Sequence, residues 1–392
     1  MGEQVLSLVI DEHRQYISDR ARVSAFRQAV GEVVKPGDAV LDLGTGTGIL
    51  GLLACGAGAR RVYAIEAGEV IELAREICGA NGFQDRMVFI KGPSTLVDLP
   101  ERVDVILADQ IGRFGFDAGL LEYFSDARER FLKPNGVMIP SRLELYVAPV
   151  ECPELSDRVE FWNDKPAGFD FHPARSLAAN TSYPAKFNPD HLLSGAALLA
   201  SLDPSMATSP SLHLEACVTT TRGGTLHGIG GWFSAQLSNN ICMSNSPLAT
   251  NPINRRNLFF PIDCPTTLRK SDHIRVMMHI LPRERVVTWK VEIWGDADNR
   301  RDQGPGLCKL RFSHSTLWGM LLSQENLQRT QPHFIPKLSL WGEAQHSVLT
   351  LCDGQRSLSE IEQEVYRRYH RLFESLGKAE AFVAKVIARY AL

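Results

Sequence analysis

The chain has 392 residues, 42 basic and 45 acidic side chains, a formal net charge of −3, 44% hydrophobic and 22% charged content. That balance excludes a disordered or fibrous chain, and the length predicts two or three domains. The near-neutral charge speaks against nucleic acid as partner, because phosphate binding needs a surplus of Lys and Arg. The eight cysteines, Cys55, Cys78, Cys152, Cys217, Cys242, Cys264, Cys308 and Cys352, contain no Cys-x-x-Cys pair. Neither a metal site nor a disulfide framework can be read from them, and reduced thiols fit a cytoplasmic protein. No basic segment precedes an apolar run at the amino terminus, so neither export nor a membrane partner is expected.

From Gly37 to about Pro149 short apolar runs alternate with helical patterns, the signature of a parallel sheet with crossover helices. Strands are expected at Val40–Asp42, Val62–Ile65, Met87–Ile90, Val103–Ala108 and Val137–Pro140. Helices are expected at Ile49–Cys55, Val70–Cys78 and about Gly119–Leu132, the last stopped by a turn at Lys133-Pro134-Asn135-Gly136. From about Pro149 to Arg311 the pattern changes to strand alternation, as in Leu212–Val218 and Thr288–Trp294, with a long loop between Ser244 and Arg256. The remainder reads as a small module: an apolar run Val348–Leu351, an Asp353-Gly354 turn, a Ser357-x-x-Glu360 capping box and an amphipathic helix carrying Phe382, Val383, Val386, Ile387 and Tyr390.

Asp42-Leu43-Gly44-Thr45-Gly46-Thr47-Gly48 follows a strand and opens a helix, where absent side chains let a ligand reach the backbone. The next strand ends in Glu66, which suits a carboxylate accepting both hydroxyls of a ribose. A dinucleotide and S-adenosylmethionine compete for this constellation. The Gly-x-Gly-x-Gly spacing and the preceding Asp42 favour S-adenosylmethionine.

Val40–Leu50, Val62–Glu66 and Leu132–Gly136 with Ile139-Pro140 resemble the protein arginine methyltransferases, as do Asp19-x-x-Arg22 and, more loosely, Gly168–Asp170 and Leu226–Phe233. The resemblance implies an α/β, Rossmann-like class I methyltransferase domain (residues 1–148) and a β-barrel substrate domain (149–320), often in a homodimer. A C-terminal helical or winged-helix module (321–392) would follow. It further implies that Arg22 holds the cofactor carboxylate, that His13 lies in the cofactor pocket and that Ser94 and Thr95 approach the adenine.

The family grips guanidinium with two glutamates after the fourth strand, a bidentate arrangement suited to a planar cation. Here the first position is Asp109 and the second falls on Ala118, with Asp117 beside it and Glu122 one helical turn beyond. The family's Thr-His-Trp signature should lie near Ile253-Asn254-Arg255 and is absent. Asp109, Asp117 and Glu122 are the candidate catalytic residues. Three readings follow: a different nucleophile, an arginine held differently, or a barrel without catalysis. His227 is read as a barrel histidine satisfied by a carbonyl rather than a base.

Val348–Ile361 resembles the small winged-helix modules of the PqqD type, which bind leader peptides by adding a strand to their sheet. The chain is thus expected to be an S-adenosylmethionine-dependent N-methyltransferase of a peptide or amino-acid-derived substrate, such as a ribosomally made precursor. The alternatives are methylation of a small-molecule natural-product intermediate and a non-catalytic cofactor-binding protein that recruits a peptide.

Overall fold

The computed structural model describes residues 6–204, 206, 211–295, 310–321, 323–329 and 331–390. Cys308 and the amino-terminal residues 1–5 lie outside them. Residues 1–320 form one compact unit and 321–392 a second. Among the described residues no helix is long and apolar enough to cross a membrane.

Two helices, α1 (Leu6–Ser18) and α2 (Arg20–Val33), lead into the α/β part. Then follow β1 (Ala39–Leu43), α3 (Ile49–Gly56), β2 (Arg61–Glu66), α4 (Val70–Ala80), β3 (Met87–Lys91), β4 (Val103–Ala108), α5 (Leu120–Phe131) and β5 (Leu132–Ile139). The strands make a parallel sheet of order β3-β2-β1-β4-β5. Every residue of β1 is buried, as expected for a Val/Leu strand covered on both faces. The order reverses between β1 and β4, so the loops leaving their carboxyl ends flank the crevice where such sheets bind ligands. One expectation needs correction. Lys133–Gly136 is not a turn but the start of β5. β5 is an edge strand whose pairing with β4 shifts register between Val103 and Val105, and an irregular edge tolerates Pro134.

The chain continues through β6 (Arg142–Val150), α6 (Pro153–Glu160), α7 (Arg175–Ala179), β7 (Tyr183–Ala185), β8 (Ala197–Leu202) and β9 (Leu212–Thr219). β10 (Gly224–Gln236), β11 (Cys242–Ser244), β12 (Asn257–Leu268), β13 (His273–Leu281), β14 (Val286–Trp294) and β15 (Leu310–Ser315) complete it. Hydrogen bonding divides these strands into two antiparallel sheets, β7-β12-β10-β6-β8 with β11 on β10, and β15-β14-β13-β9. The sheets share a core: buried Trp289 packs against Phe260 in a tilted pair with ring centroids 5.4 Å apart and donates its indole N–H to Pro261 O at 2.8 Å. The long loop spans from β11 to β12 as read from its composition.

Two contacts tie the sheets to the crevice. A Cβ on Gly231 of β10 would lie 2.8 Å from the Phe114 ring, so glycine there admits the loop that follows β4. Buried Asn245 accepts from Phe233 N at 2.9 Å and donates to Arg113 O and Arg256 O at 2.9 and 3.1 Å. That one carboxamide holds the β4 loop and the β11–β12 loop in register.

The second unit contains α8 (Gln324–Arg329), α9 (Leu340–Leu351), α10 (Leu358–Arg368) and α11 (Leu376–Tyr390). The Ser357–Glu360 capping box forms, with both reciprocal bonds made. Val348, Leu351, Ile361, Val365, Phe373 and Val383 make its core. The strand that the PqqD-type pattern implies at Val348–Leu351 is instead the end of a helix: Ser339 caps it, and Ala344, Ser347, Val348 and Leu351 bury one helical face. Among the described residues this unit has no strand, so the strand-addition route to a leader peptide, and with it the winged-helix reading, loses its structural basis.

Candidate active site

The loop after β1 is a cradle. Gly44, Gly46 and Gly48 have φ of 68°, 55° and 87°, the left-handed region that costs other residues strain. Asp42 Oδ2 cinches it, accepting from Thr45 Oγ1 at 2.5 Å and from Gly51 N at 2.8 Å. Asp42 is therefore the brace of the loop, and burial pushes its carboxyl up to about 6. Glu66 at the end of β2 accepts from Gly46 N at 3.1 Å and Gly68 N at 2.8 Å, which fixes its carboxylate at the mouth of the same loop. His13 of α1 lies over the loop: a Cβ on Gly46 would stand 2.6 Å from its Cε1. A Cβ on Gly44 would collide with the Gln110 carboxamide. Two buried oxygens around this cradle, Asp42 Oδ1 and Gln110 Oε1, have no hydrogen-bond partner among the described residues. Unpartnered buried oxygens are costly and rare, so a polar ligand is indicated.

Ser94 and Thr95 sit in a single 3₁₀ turn after β3. Arg130 of α5 holds that turn from below, donating to Ser94 O at 2.9 Å, to Val97 O, and to the carboxylates of Asp98 and Asp126, both at 3.1 Å.

Across the crevice, Asp109 is the first residue past β4. Its carboxylate is bound by two guanidiniums: Arg22 Nε donates to Oδ2, while Arg255 Nη1 and Nη2 donate to Oδ1 and Oδ2 at 3.2 and 3.0 Å. The Asp109, Arg22 and Arg255 side chains are only 8%, 7% and 13% exposed. Burial alone would raise the Asp109 pKa, but Arg255 and Arg22 outweigh it and hold the carboxyl below its ordinary range. Arg22 also donates to Tyr16 O at 3.1 Å. The Tyr16 ring lies 5.6 Å from the Arg22 guanidinium carbon and 5.8 Å from that of Arg255. Burial and a hydrogen bond to Glu12 raise the Tyr16 phenol to about 12.

Asp19 explains how Arg255 gets there. Its Oδ1 caps α2 through Arg22 N and its Oδ2 accepts from Asn254 N at 2.7 Å. The long loop is thereby fastened beside Arg22, and Arg255 follows into the crevice.

The other two acidic candidates do not join Asp109. Asp117 turns back on its own loop, its Oδ1 accepting from Arg113 N at 2.8 Å and Phe114 N at 2.9 Å. It lines the same cavity but serves as a loop lock. Glu122 is exposed on α5, outside that cavity. His227 is buried, and its Nδ1 accepts from Cys152 N at 3.0 Å rather than donating to a carbonyl. Burial lowers its pKa, which fits a neutral acceptor.

Sequence reasoning missed Tyr16, Gln110, Arg130 and Arg255. Only Arg255 left a signal. The segment Ile253-Asn254-Arg255 registered as a lost signature, whereas it also brings a cation opposite Asp109.

Comparisons with known proteins agree with this geometry. The profile described as the arginine methyltransferase oligomerization subdomain matches residues 141–296, and that of ribosomal protein L11 methyltransferase matches residues 26–143. Protein arginine N-methyltransferase 6 of Xenopus laevis is 30% identical over 60% of this chain and 73% of its own length. A probable protein arginine N-methyltransferase 6 of Arabidopsis thaliana is 35% identical over 44% of this chain and 40% of its own length. The fold matches the Trypanosoma brucei enzyme–prozyme complex of protein arginine methyltransferase 1 with S-adenosylhomocysteine (TM-score 0.68, 22% identity, 77% of this chain and 97% of that one). It also matches Arabidopsis thaliana protein arginine methyltransferase 10 (TM-score 0.67, 24% identity, 78% and 97%). On this evidence the chain belongs to the protein arginine methyltransferase family, enzymes that take their methyl group from S-adenosylmethionine.

Proposed function

We propose that this chain transfers a methyl group from S-adenosylmethionine to a nitrogen of a protein or peptide, with Asp109 as the carboxylate that orients the acceptor. The observation that carries the reading is the pairing of a ligand-ready glycine cradle with a buried, ionised carboxylate just past the carboxyl end of the neighbouring strand β4. The residues fit the cofactor. Glu66 is set to accept from the ribose hydroxyls, the Gly44–Gly48 backbone to approach the nucleoside, and Ser94 and Thr95 to border the adenine. Arg22 is the cation at hand for the cofactor carboxylate, and Gln110 has an oxygen to satisfy. Bound S-adenosylmethionine supplies an electrophilic methyl on its sulfonium.

Asp109 acts by position and charge. A carboxyl held below its ordinary pKa is a poor proton acceptor at neutral pH, since an effective general base titrates near the working pH. Its contribution is to fix a nitrogen and favour the positive charge that develops on it. We further propose that the β-sheet part pairs two copies of the chain, supported by the match to an oligomerization subdomain.

Titration calorimetry with S-adenosylhomocysteine on the wild type and Glu66→Ala tests the cofactor half. The expected outcome is a loss of about 1.5–3 kcal/mol for the charge-assisted bonds. Equal affinity in both proteins would overturn it.

A further inference from the structure

We infer that Arg255 is an internal occupant of the acceptor seat, a built-in competitor that the guanidinium of an arginine-bearing peptide displaces from Asp109. The inference rests on the methyltransferase reading above and adds a regulation of that same site.

The grip on Asp109 is the one an acceptor would need. Arg255 presents Nη1 and Nη2 to Oδ1 and Oδ2 at 3.2 and 3.0 Å, the two-point fork by which a guanidinium meets a carboxylate. With Arg22 Nε on Oδ2, these bonds take up all but one of the roughly four lone-pair sites that a carboxylate offers. A second guanidinium cannot fork onto Asp109 while Arg255 stays. Exchange of one for the other restores the charge-assisted bonds that it breaks, whereas simple withdrawal of Arg255 would not.

Arg255 is also placed to leave. It lines a cavity of about 660 Å³ walled by α1, the loop after β4, the end of β7 and the loop before β12. That last loop is anchored on either side of its tip, by Ile253 N donating to Ser244 O at 2.9 Å and by Asn245 Nδ2 donating to Arg256 O at 3.1 Å. Between these anchors Asn254 N ties the tip to Asp19 Oδ2 at 2.7 Å. Two further carboxylates, Glu12 and Asp117, line the cavity. Glu12 accepts from the Tyr16 hydroxyl and Asp117 from the amides of Arg113 and Phe114, neutral donors that leave each charge in place to receive Arg255 when it swings off Asp109. Because competitor and seat share one chain, the competitor's effective concentration is on the order of millimolar. The apparent affinity for substrate is lowered by the fraction of time the seat stands open.

The test measures fluorescence anisotropy of two labelled peptides on the full chain, with and without saturating S-adenosylhomocysteine. The peptides have equal length and charge, one with a single arginine and one with lysine in its place. R255M vacates the seat, so the arginine peptide should bind about tenfold tighter or more than to the wild type. The lysine peptide should gain less, because an ammonium cannot fork. D19N has one oxygen where the wild type has two for the amides of Arg22 and Asn254, so it should loosen the tip and give a smaller gain of the same sign. R256M removes the same charge from the exposed neighbouring residue and should change either affinity about twofold at most. Equal or weaker binding of the arginine peptide by R255M overturns the inference and makes Arg255 a fixed brace, and an equal gain in R256M overturns it in favour of a general charge effect. If R255M does not fold, D19N decides by the presence or absence of its gain. Failure of the wild type to bind S-adenosylhomocysteine would instead overturn the methyltransferase reading, and the variants compared without it would still show whether Arg255 blocks the seat.

Discussion

The loops after β1 and β4 leave the same edge of one sheet, side by side, yet handle polar groups in opposite ways. Around the β1 loop carboxylates grip backbone amides and two buried oxygens, Asp42 Oδ1 and Gln110 Oε1, are left without partners among the described residues. Around the β4 loop the buried charge is closed on itself, one carboxylate between two guanidiniums. An open arrangement waits for a ligand to complete it. A closed one must be entered by exchange, and it makes the incoming group compete with the protein's own side chains.

The sharpest way to break this contrast is to remove the carboxylate that closes the second loop. Asp109→Ala leaves two buried guanidiniums facing each other, and a denaturant titration should show a loss of about 3–5 kcal/mol. A loss under about 1 kcal/mol would mean that both cations reach solvent, and the closed description would fall.

Asp42 probes the open side through pH. Its carboxyl is raised from 3.8 to about 6, so the fold prefers it protonated. Its contribution is complete below about pH 4 and is lost as pH rises through 6. Asp42→Asn keeps an acceptor for Thr45 and Gly51 without that titration. Stability measured from pH 4 to 7 should fall about 3 kcal/mol further in the wild type than in the variant. Parallel curves would show that Asp42 ionises as readily folded as unfolded.

Arg255→Met opens the triad without stranding a charge, because Arg22 stays on Asp109. Its cost should be about 1.5–3 kcal/mol, clearly below that of Asp109→Ala. The smallest effect belongs to Asp117→Ala, about 1–2 kcal/mol of stability from its loop amides, with affinity for S-adenosylhomocysteine unchanged in calorimetry. A large loss of cofactor affinity there would reassign Asp117 to the binding site.

The open side was legible in the sequence because its chemistry is local. Asp42, the three glycines and Glu66 sit within one strand–loop–helix–strand unit whose spacing encodes the contacts. The closed side is assembled from residues far apart: Arg22 and Asp109 are 87 positions apart and Arg255 lies 146 beyond Asp109. No periodicity carries such pairings. The errors in secondary structure have a comparable origin. Lys133-Pro134-Asn135-Gly136 has turn chemistry, but at a sheet edge pairing outweighs it. Val348–Leu351 is a four-residue apolar run, which cannot distinguish a strand from a buried helical face until its flanking residues are placed.

His13 and Tyr16 stand three positions apart on α1, one against Gly46 and the other 5.6 and 5.8 Å from the guanidinium carbons of Arg22 and Arg255. A single short helix is therefore a wall of both compartments. If a ligand in one compartment were to shift α1, it would shift a wall of the other, and the coupling would be equal in either order of binding. Occupancy of one compartment would then be information for the other, with α1 as the rod that carries it.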